Sequence, residues 1–372
     1  MSTDPRLTPL VASLPASVPF VGPEAQERAR GAPFAARLGA NESLFGPSPR
    51  AIAAMQAAAP DAWMYGDPEM HDLRQAIAAH HGCPPAHVMP GEGIDGILGL
   101  IVRLLIAPGD AVVTSAGAYP TFTYHVAGMG GRIHSVPYTA DHEDPERLIA
   151  RARDVGAKLI YIANPDNPMG TWHDAATIAR MVDRVPEGAL LILDEAYIDL
   201  APEGTAPALA PADPRVIRLR TFSKGYGLAG IRVGYAIGPA PLLAAFDRVR
   251  NHFGMGRISQ AGAIAALADQ GWLAHVQAEV AAARACIAAI GAAHGLRAIP
   301  SATNFVTLDC GADGAFARAT LAGLLARGVF VRMPFVAPQD RCIRISCGTA
   351  AARDVLAAAL PEALAAARRT AI

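Results

Sequence analysis

Three stretches place reactive side chains directly after aliphatic runs. Leu159–Ala163 leads into Asn164, Asp166, Asn167 and Gly170. Ala189–Leu193 leads into Asp194, Glu195 and Tyr197. Val216–Leu219 leads into Thr221, Ser223, Lys224 and Gly225, with Arg232 eight residues beyond the lysine. An acid that follows four strand-forming residues is partly buried and needs a donor or a cation as partner. A lysine in the same crevice can serve as a nucleophile or a proton carrier once burial makes it neutral. A fourth stretch, Gly91–Gly96, places a glycine turn before the apolar run Ile97–Ile106. Such a turn offers free N–H groups and the positive end of a helix dipole to a phosphate. Thr221, Ser223 and Arg232 could complete that cup, and Tyr119 adds an aromatic face.

These groups need a frame that brings their ends together. Short apolar runs at 111–114, 159–163, 190–193, 216–219 and 233–237 alternate with amphipathic segments such as 175–185. That alternation predicts βαβ units and a mostly parallel sheet flanked by helices. In such sheets ligands bind beyond the carboxyl ends of the strands, where all three polar clusters fall. Residues 1–45 are rich in proline and are expected to form an arm. Residues 46–268 form the large α/β domain. After 268, alanine-rich helices (261–268 and 272–294), short strands near 305–308 and 342–345 and a helix near 353–368 predict a smaller α+β domain over 269–372. The helical sequence at that boundary could run across it.

Gly225, Gly227 and Gly230 spell GxGxxG, with Asp247 about twenty residues on. A dinucleotide site needs a helix after the glycines. Here Ile231–Ile237 reads as a strand, so the glycines are expected to let the chain turn back near a ligand.

The chain has 372 residues, a net charge of -1 and 52% hydrophobic residues. Without a basic run it offers no surface for nucleic acid. Its longest apolar runs are broken by glycine or arginine, and its start reads as no signal peptide, so a cytoplasmic protein without a membrane span is expected. Five cysteines without a CxxC pair fit free thiols in a reducing compartment. His80, His81 and His87 lack a carboxylate or cysteine at metal-ligand spacing and read as surface, so no metal site is expected.

Together, Asn164–Gly170, Asp194–Tyr197 and Thr221–Arg232 resemble the class I/II, fold-type I pyridoxal-phosphate aminotransferases. Leu38–Pro47, Tyr65–Glu69, Asp194–Asp199 and Thr221–Tyr235 are similar to the histidinol-phosphate branch of that family. The resemblance runs from about residue 20 to 350. It implies a homodimer that uses pyridoxal 5'-phosphate to move an amino group between a small amine and a 2-oxo acid such as 2-oxoglutarate. It implies that Lys224 holds the cofactor in Schiff-base linkage, that Asp194 pairs with the ring nitrogen, and that Tyr197 and Asn167 bond its phenolic oxygen. Tyr119 would stack on the ring. Gly93, Ile94, Thr221, Ser223 and Arg232 would hold the phosphate, with Tyr65 reaching the neighbouring subunit. Arg344 would grip the substrate's acidic group, with Asn41, Asn304 and Arg332 beside it.

The chain departs from that branch at Phe20, where the arm carries a tyrosine in its relatives, and at Phe253. Both changes favour a more apolar pocket. Histidinol phosphate and an aromatic amino acid therefore both stand as amino donors. Decarboxylation of a phosphorylated amino acid, of the threonine-phosphate type, is the alternative chemistry on the same fold.

Overall fold

A computed structural model describes residues 6–15 and 21–370 of the chain. Phe20 lies outside the described residues. In chain order the strands are β1 (Ala36–Arg37), β2 (Val88–Gly91), β3 (Ala111–Ser115), β4 (Arg132–Val136), β5 (Leu159–Ala163) and β6 (Leu190–Asp194). They continue with β7 (Val216–Thr221), β8 (Gly234–Ile237), β9 (Arg297–Ala298), β10 (Phe305–Asp309), β11 (Val329–Phe330) and β12 (Cys342–Ser346).

Seven strands form the central sheet in the order β2-β8-β7-β6-β5-β3-β4. All neighbouring pairs are parallel except those made by β8, which runs antiparallel to both β7 and β2. Every residue of β5 and β6 is buried, as continuous aliphatic runs covered by helices on both faces require. Phe122 stacks on Tyr161 with ring centroids 4.9 Å apart. The helices begin where acids and hydroxyls can cap them. Ser48 accepts from Ala51, Asp144 from Arg147 and Asp174 from Thr177.

The reversal of β8 gathers three strand ends. Thr221 and Gly91 both register against Gly234. The end of β7, the end of β2 and the start of β8 therefore share one edge, beside the ends of β5 and β6.

A second group of elements has its own core of Leu308, Ile343, Ile345, Leu356 and Leu360. Here β12, β10 and β9 pair antiparallel, and β1 pairs parallel with β11. The alanine-rich sequence near 268 breaks: one helix ends at Ala268, the next spans Gln270–Ala292, and Asp269 between them caps the second through Trp272 N. That second helix, 23 residues long, is apolar and long enough to cross a membrane. Its buried residues Leu273, Val276, Val280, Ala283 and Ile287 instead form one stripe, the pattern of an amphipathic helix packed on a core.

Two expectations need correction. The region before 45 is more regular than an extended arm, with helices at Pro9–Ser13 and Pro23–Arg30 and then β1. Both helices start on proline, whose fixed φ suits a first turn. His81 and His87 are partly buried rather than fully solvated. His81 Nε2 lies 2.9 Å from the Tyr235 hydroxyl, and burial pushes its imidazole down to about 3. His87 Nδ1 lies 2.9 Å from Gly238 O.

Candidate active site

A cavity of about 630 Å³ opens at the shared strand edge. Asn41, Ile94, Tyr119, Asn167, Asp194, Tyr197, Thr221, Ser223, Lys224, Arg232, Arg332 and Arg344 all line it. Three other expected residues stand apart. Gly93 does not face the cavity, but a Cβ built on it would lie 2.5 Å from Arg232 Nη2. Asn304 is buried behind the wall and donates to Asn41 O at 2.9 Å. Tyr65 is 75% exposed, and its ring meets the exposed Phe253 ring at 4.7 Å, away from the cavity. The apolar shift expected from Phe253 therefore does not act within this chain's cavity, and Phe20 lies outside the described residues.

Asp194 ends β6 and is 4% exposed. Its carboxylate accepts from the Tyr161 hydroxyl at 2.7 Å and from Ala196 N at 2.9 Å. Burial nevertheless raises it to about 6, with the two hydrogen bonds opposing. A cation placed beside it in the cavity would reverse that penalty. Tyr161 was missed in the sequence; its signal is a phenol inside an otherwise aliphatic strand.

Lys224 follows β7, and its Nζ donates to Asn41 O at 3.1 Å. The same Nζ lies 5.6 Å from the Tyr197 ring centroid. Burial pushes the amine down to about 8, helped by repulsion from Arg344 and Arg232 and opposed by Asp95 and Glu42. The Tyr197 hydroxyl accepts from Asn41 Nδ2 at 3.0 Å, and burial pushes it up to about 12.

At the other end, the helix Gly93–Leu105 begins without a side-chain cap, so its first-turn N–H groups are free to meet a ligand. Thr221 Oγ1 donates to Ser223 Oγ at 2.9 Å. Arg232 stands at the start of β8 with φ 54° and Nη2 3.7 Å from Asp95 Oδ2. Asp95, also missed, accepts from the Tyr119 hydroxyl at 2.9 Å. Two hydroxyls, a guanidinium and a helix start make a site for a phosphate dianion.

Arg344 lies on β12. It donates to Asn167 Oδ1 through Nη1 and to Gly39 O at 3.2 Å through Nη2. Burial pushes it down to about 10, so it remains a cation near neutral pH. The backbone of Arg332 pairs with that of Arg344 at 3.1 and 2.6 Å, which brings a second guanidinium to the same wall.

A phosphate end, a buried acid suited to a ring cation and a buried lysine on one cavity fit pyridoxal phosphate. The GxGxxG segment holds no dinucleotide turn. Gly227 has φ 70°, and a Cβ there would lie 2.4 Å from Gly46 O, so this glycine lets the strand connection pass against the loop at 46–47.

The family model described as aminotransferase class I and II matches residues 36–360. A histidinol-phosphate aminotransferase from Anaeromyxobacter sp. (strain Fw109-5) is 37% identical, covering 88% of this chain and 90% of its own. One from Roseiflexus castenholzii is 34% identical, covering 96% and 97%. The crystal structure of histidinol-phosphate aminotransferase from Sinorhizobium meliloti in complex with pyridoxal-5'-phosphate superposes with a TM-score of 0.94. It is 52% identical and covers all of both chains.

Proposed function

The chain belongs to the class I and II aminotransferases and is a pyridoxal-phosphate-dependent enzyme; on that premise we propose that its amino donor is histidinol phosphate and its acceptor a 2-oxo acid such as 2-oxoglutarate. The observation that carries this choice is the pairing of Arg332 with Arg344 on one cavity wall. Two guanidiniums suit a phosphate monoester or the second carboxylate of a dicarboxylic acid. The side chain of an aromatic amino acid would leave one of them without an anion, at the cost of desolvating a charge.

The cofactor supplies an electron sink for the charge left when a bond to the substrate's Cα breaks. The chain's residues do the rest. Arg232, Thr221, Ser223 and the N–H groups after Gly93, Ile94 among them, hold the phosphate. Asp194, kept in place by Tyr161, would meet the ring nitrogen as an anion. Tyr197 and Asn167 would bond the phenolic oxygen, and Tyr119 would cover one ring face. Lys224 binds the cofactor. With the cofactor and donor bound, its amine would take the proton from Cα as base and deliver it as acid to the cofactor's C4′. Arg344, with Asn41 and Asn304 shaping the wall, fixes the acidic end of the substrate. That restraint would hold the donor's Cα–H bond within reach of the Lys224 amine.

Residues 46–268 and 269–372 act as two domains that meet at the cavity, with the segment before 45 packed on the smaller. Tyr65 completes the site of a second copy, so the working unit is a homodimer in the cytoplasm. Its 75% exposure beside Phe253, with Trp63 81% exposed two residues away, supports an aromatic contact surface.

Side-by-side turnover of histidinol phosphate, phenylalanine and glutamate tests the substrate. Histidinol phosphate is expected to have the highest kcat/KM, and Arg344→Ala to raise its KM at least about tenfold. Preference for phenylalanine, or carbon dioxide release without a keto acid, would contradict it.

A further inference from the structure

Outside the cavity, a group of four charged side chains joins the two halves of the molecule. Arg341 Nη2 lies 3.0 Å from Asp141 Oδ1 and 2.8 Å from Asp141 Oδ2. Arg341 Nε donates to Asp309 Oδ2 at 3.0 Å, and its Nη1 donates to Pro338 O at 2.9 Å. Arg297 reaches Asp309 Oδ2 at 2.9 Å. Asp141 belongs to a tight hairpin after the central sheet's β4, closed by Thr139 and His142. Arg341, Asp309 and Arg297 belong to the second group of elements.

Each end of this pair leads to a substrate-facing residue. From Asp141, the backbone carbonyl accepts from Thr171 Oγ1 at 3.0 Å, and Thr171 closes the loop that carries Asn167 through the Asp166 N to Thr171 O bond. From Arg341, three residues along the chain lead to Arg344, and Pro338 O ends the segment whose Met333, Pro334, Phe335 and Val336 line the cavity mouth. Within the cavity the two routes meet, because Arg344 donates to Asn167. Ala140 and Asp141 both hold left-handed backbone, at φ 47° and 66°. Residues other than glycine stay in that region only where their surroundings fix them. The side chain of Asp141 is 15% exposed, so this pair is screened less than a surface one.

We propose that Asp141 and Arg341 are positioning residues for the reaction: their ion pair sets the small domain against the Asn167 loop so that Arg344 meets the substrate's acidic end. The proposal rests on Arg344 as the anion-binding residue. It places specificity control outside the pocket lining, in residues that touch neither cofactor nor substrate.

Steady-state kinetics of the cofactor-loaded enzyme tests this. Asp141→Asn is expected to raise KM for the acidic substrate roughly fivefold to tenfold, with kcat within about twofold and the visible absorbance of the bound cofactor unchanged. Asp141→Glu, which keeps the charge, is expected to recover most of the lost affinity. In an Arg344→Ala background the Asp141→Asn change is expected to cost nothing further, because the two act through one contact. Should Asp141→Asn fail to fold, Arg341→Gln, which removes the charge from the other side of the pair, carries the same expectation. An unchanged KM, or an equal loss with and without Arg344, overturns the positioning role. If Arg344→Ala alone leaves KM unchanged, the assignment of Arg344 fails, and the positioning role with it.

Discussion

Lys224 has little meaning as a lone lysine. Its environment gives it a role: Asn41 O accepts from it, and burial with two nearby guanidiniums lowers its pKa to about 8. Attack on an aldehyde needs the neutral amine. The neutral fraction grows as pH rises through the pKa, and falls roughly tenfold per unit below it. The rate at which cofactor-free enzyme takes up pyridoxal phosphate is therefore expected to rise with pH and level off near 8, followed by stopped-flow absorbance. A plateau reached only above about 10, the ordinary lysine range, would mean that the amine is solvated. Asp194 was legible from sequence because an acid after Leu190–Leu193 conflicts with a buried strand. Tyr161 was not. A tyrosine inside a strand reads as core, and only the 2.7 Å bond from its hydroxyl to Asp194 gives it a second task.

Among the elements, the sheet edge does the assembling. β5, β6 and β7 were readable because buried parallel strands are continuous aliphatic runs. β2 was not readable: four residues with Pro90 among them carry no periodic signal, and their strand conformation comes from pairing with β8. That pairing also explains why Arg232 and the turn after Gly91 come together. Gly93 lies between them with φ 74° and a hypothetical Cβ 2.5 Å from Arg232 Nη2. Gly93→Ala is expected to destabilise the fold by about 1–2 kcal/mol through the left-handed backbone. It also displaces Arg232, so it should weaken cofactor affinity by roughly tenfold or more, measured by equilibrium titration with pyridoxal phosphate. Unaltered affinity would remove Arg232 and this turn from the phosphate site.

For the molecule as a whole, the proposed homodimer would decide whether each site is complete. The family resemblance pointed to Tyr65 as a residue for a neighbouring site, and the fold leaves it exposed with Trp63 and Phe253. No pattern within one chain's sequence shows which partner covers such a surface, because exposed aromatics look alike whether they meet a second copy or another protein. If two copies share their sites, mixing Lys224→Ala with Tyr65→Ala enzyme after reversible dissociation should restore activity. Half of random pairs are then hybrids, each with one intact site of its two, so recovery should approach roughly a quarter of the wild-type rate. A mixture as inactive as its parents would indicate that each chain completes its own site.

Lys224 as the carrier of the cofactor is tested by borohydride reduction followed by peptide mass spectrometry. Reduction fixes the bond between the cofactor and the amine that holds it. A phosphopyridoxyl group is expected on the peptide containing Lys224 and absent from the Lys224→Ala protein, together with loss of amino transfer in that variant. Label on a different lysine, or a Lys224→Ala protein that still turns over its donor at the wild-type rate, would overturn that role.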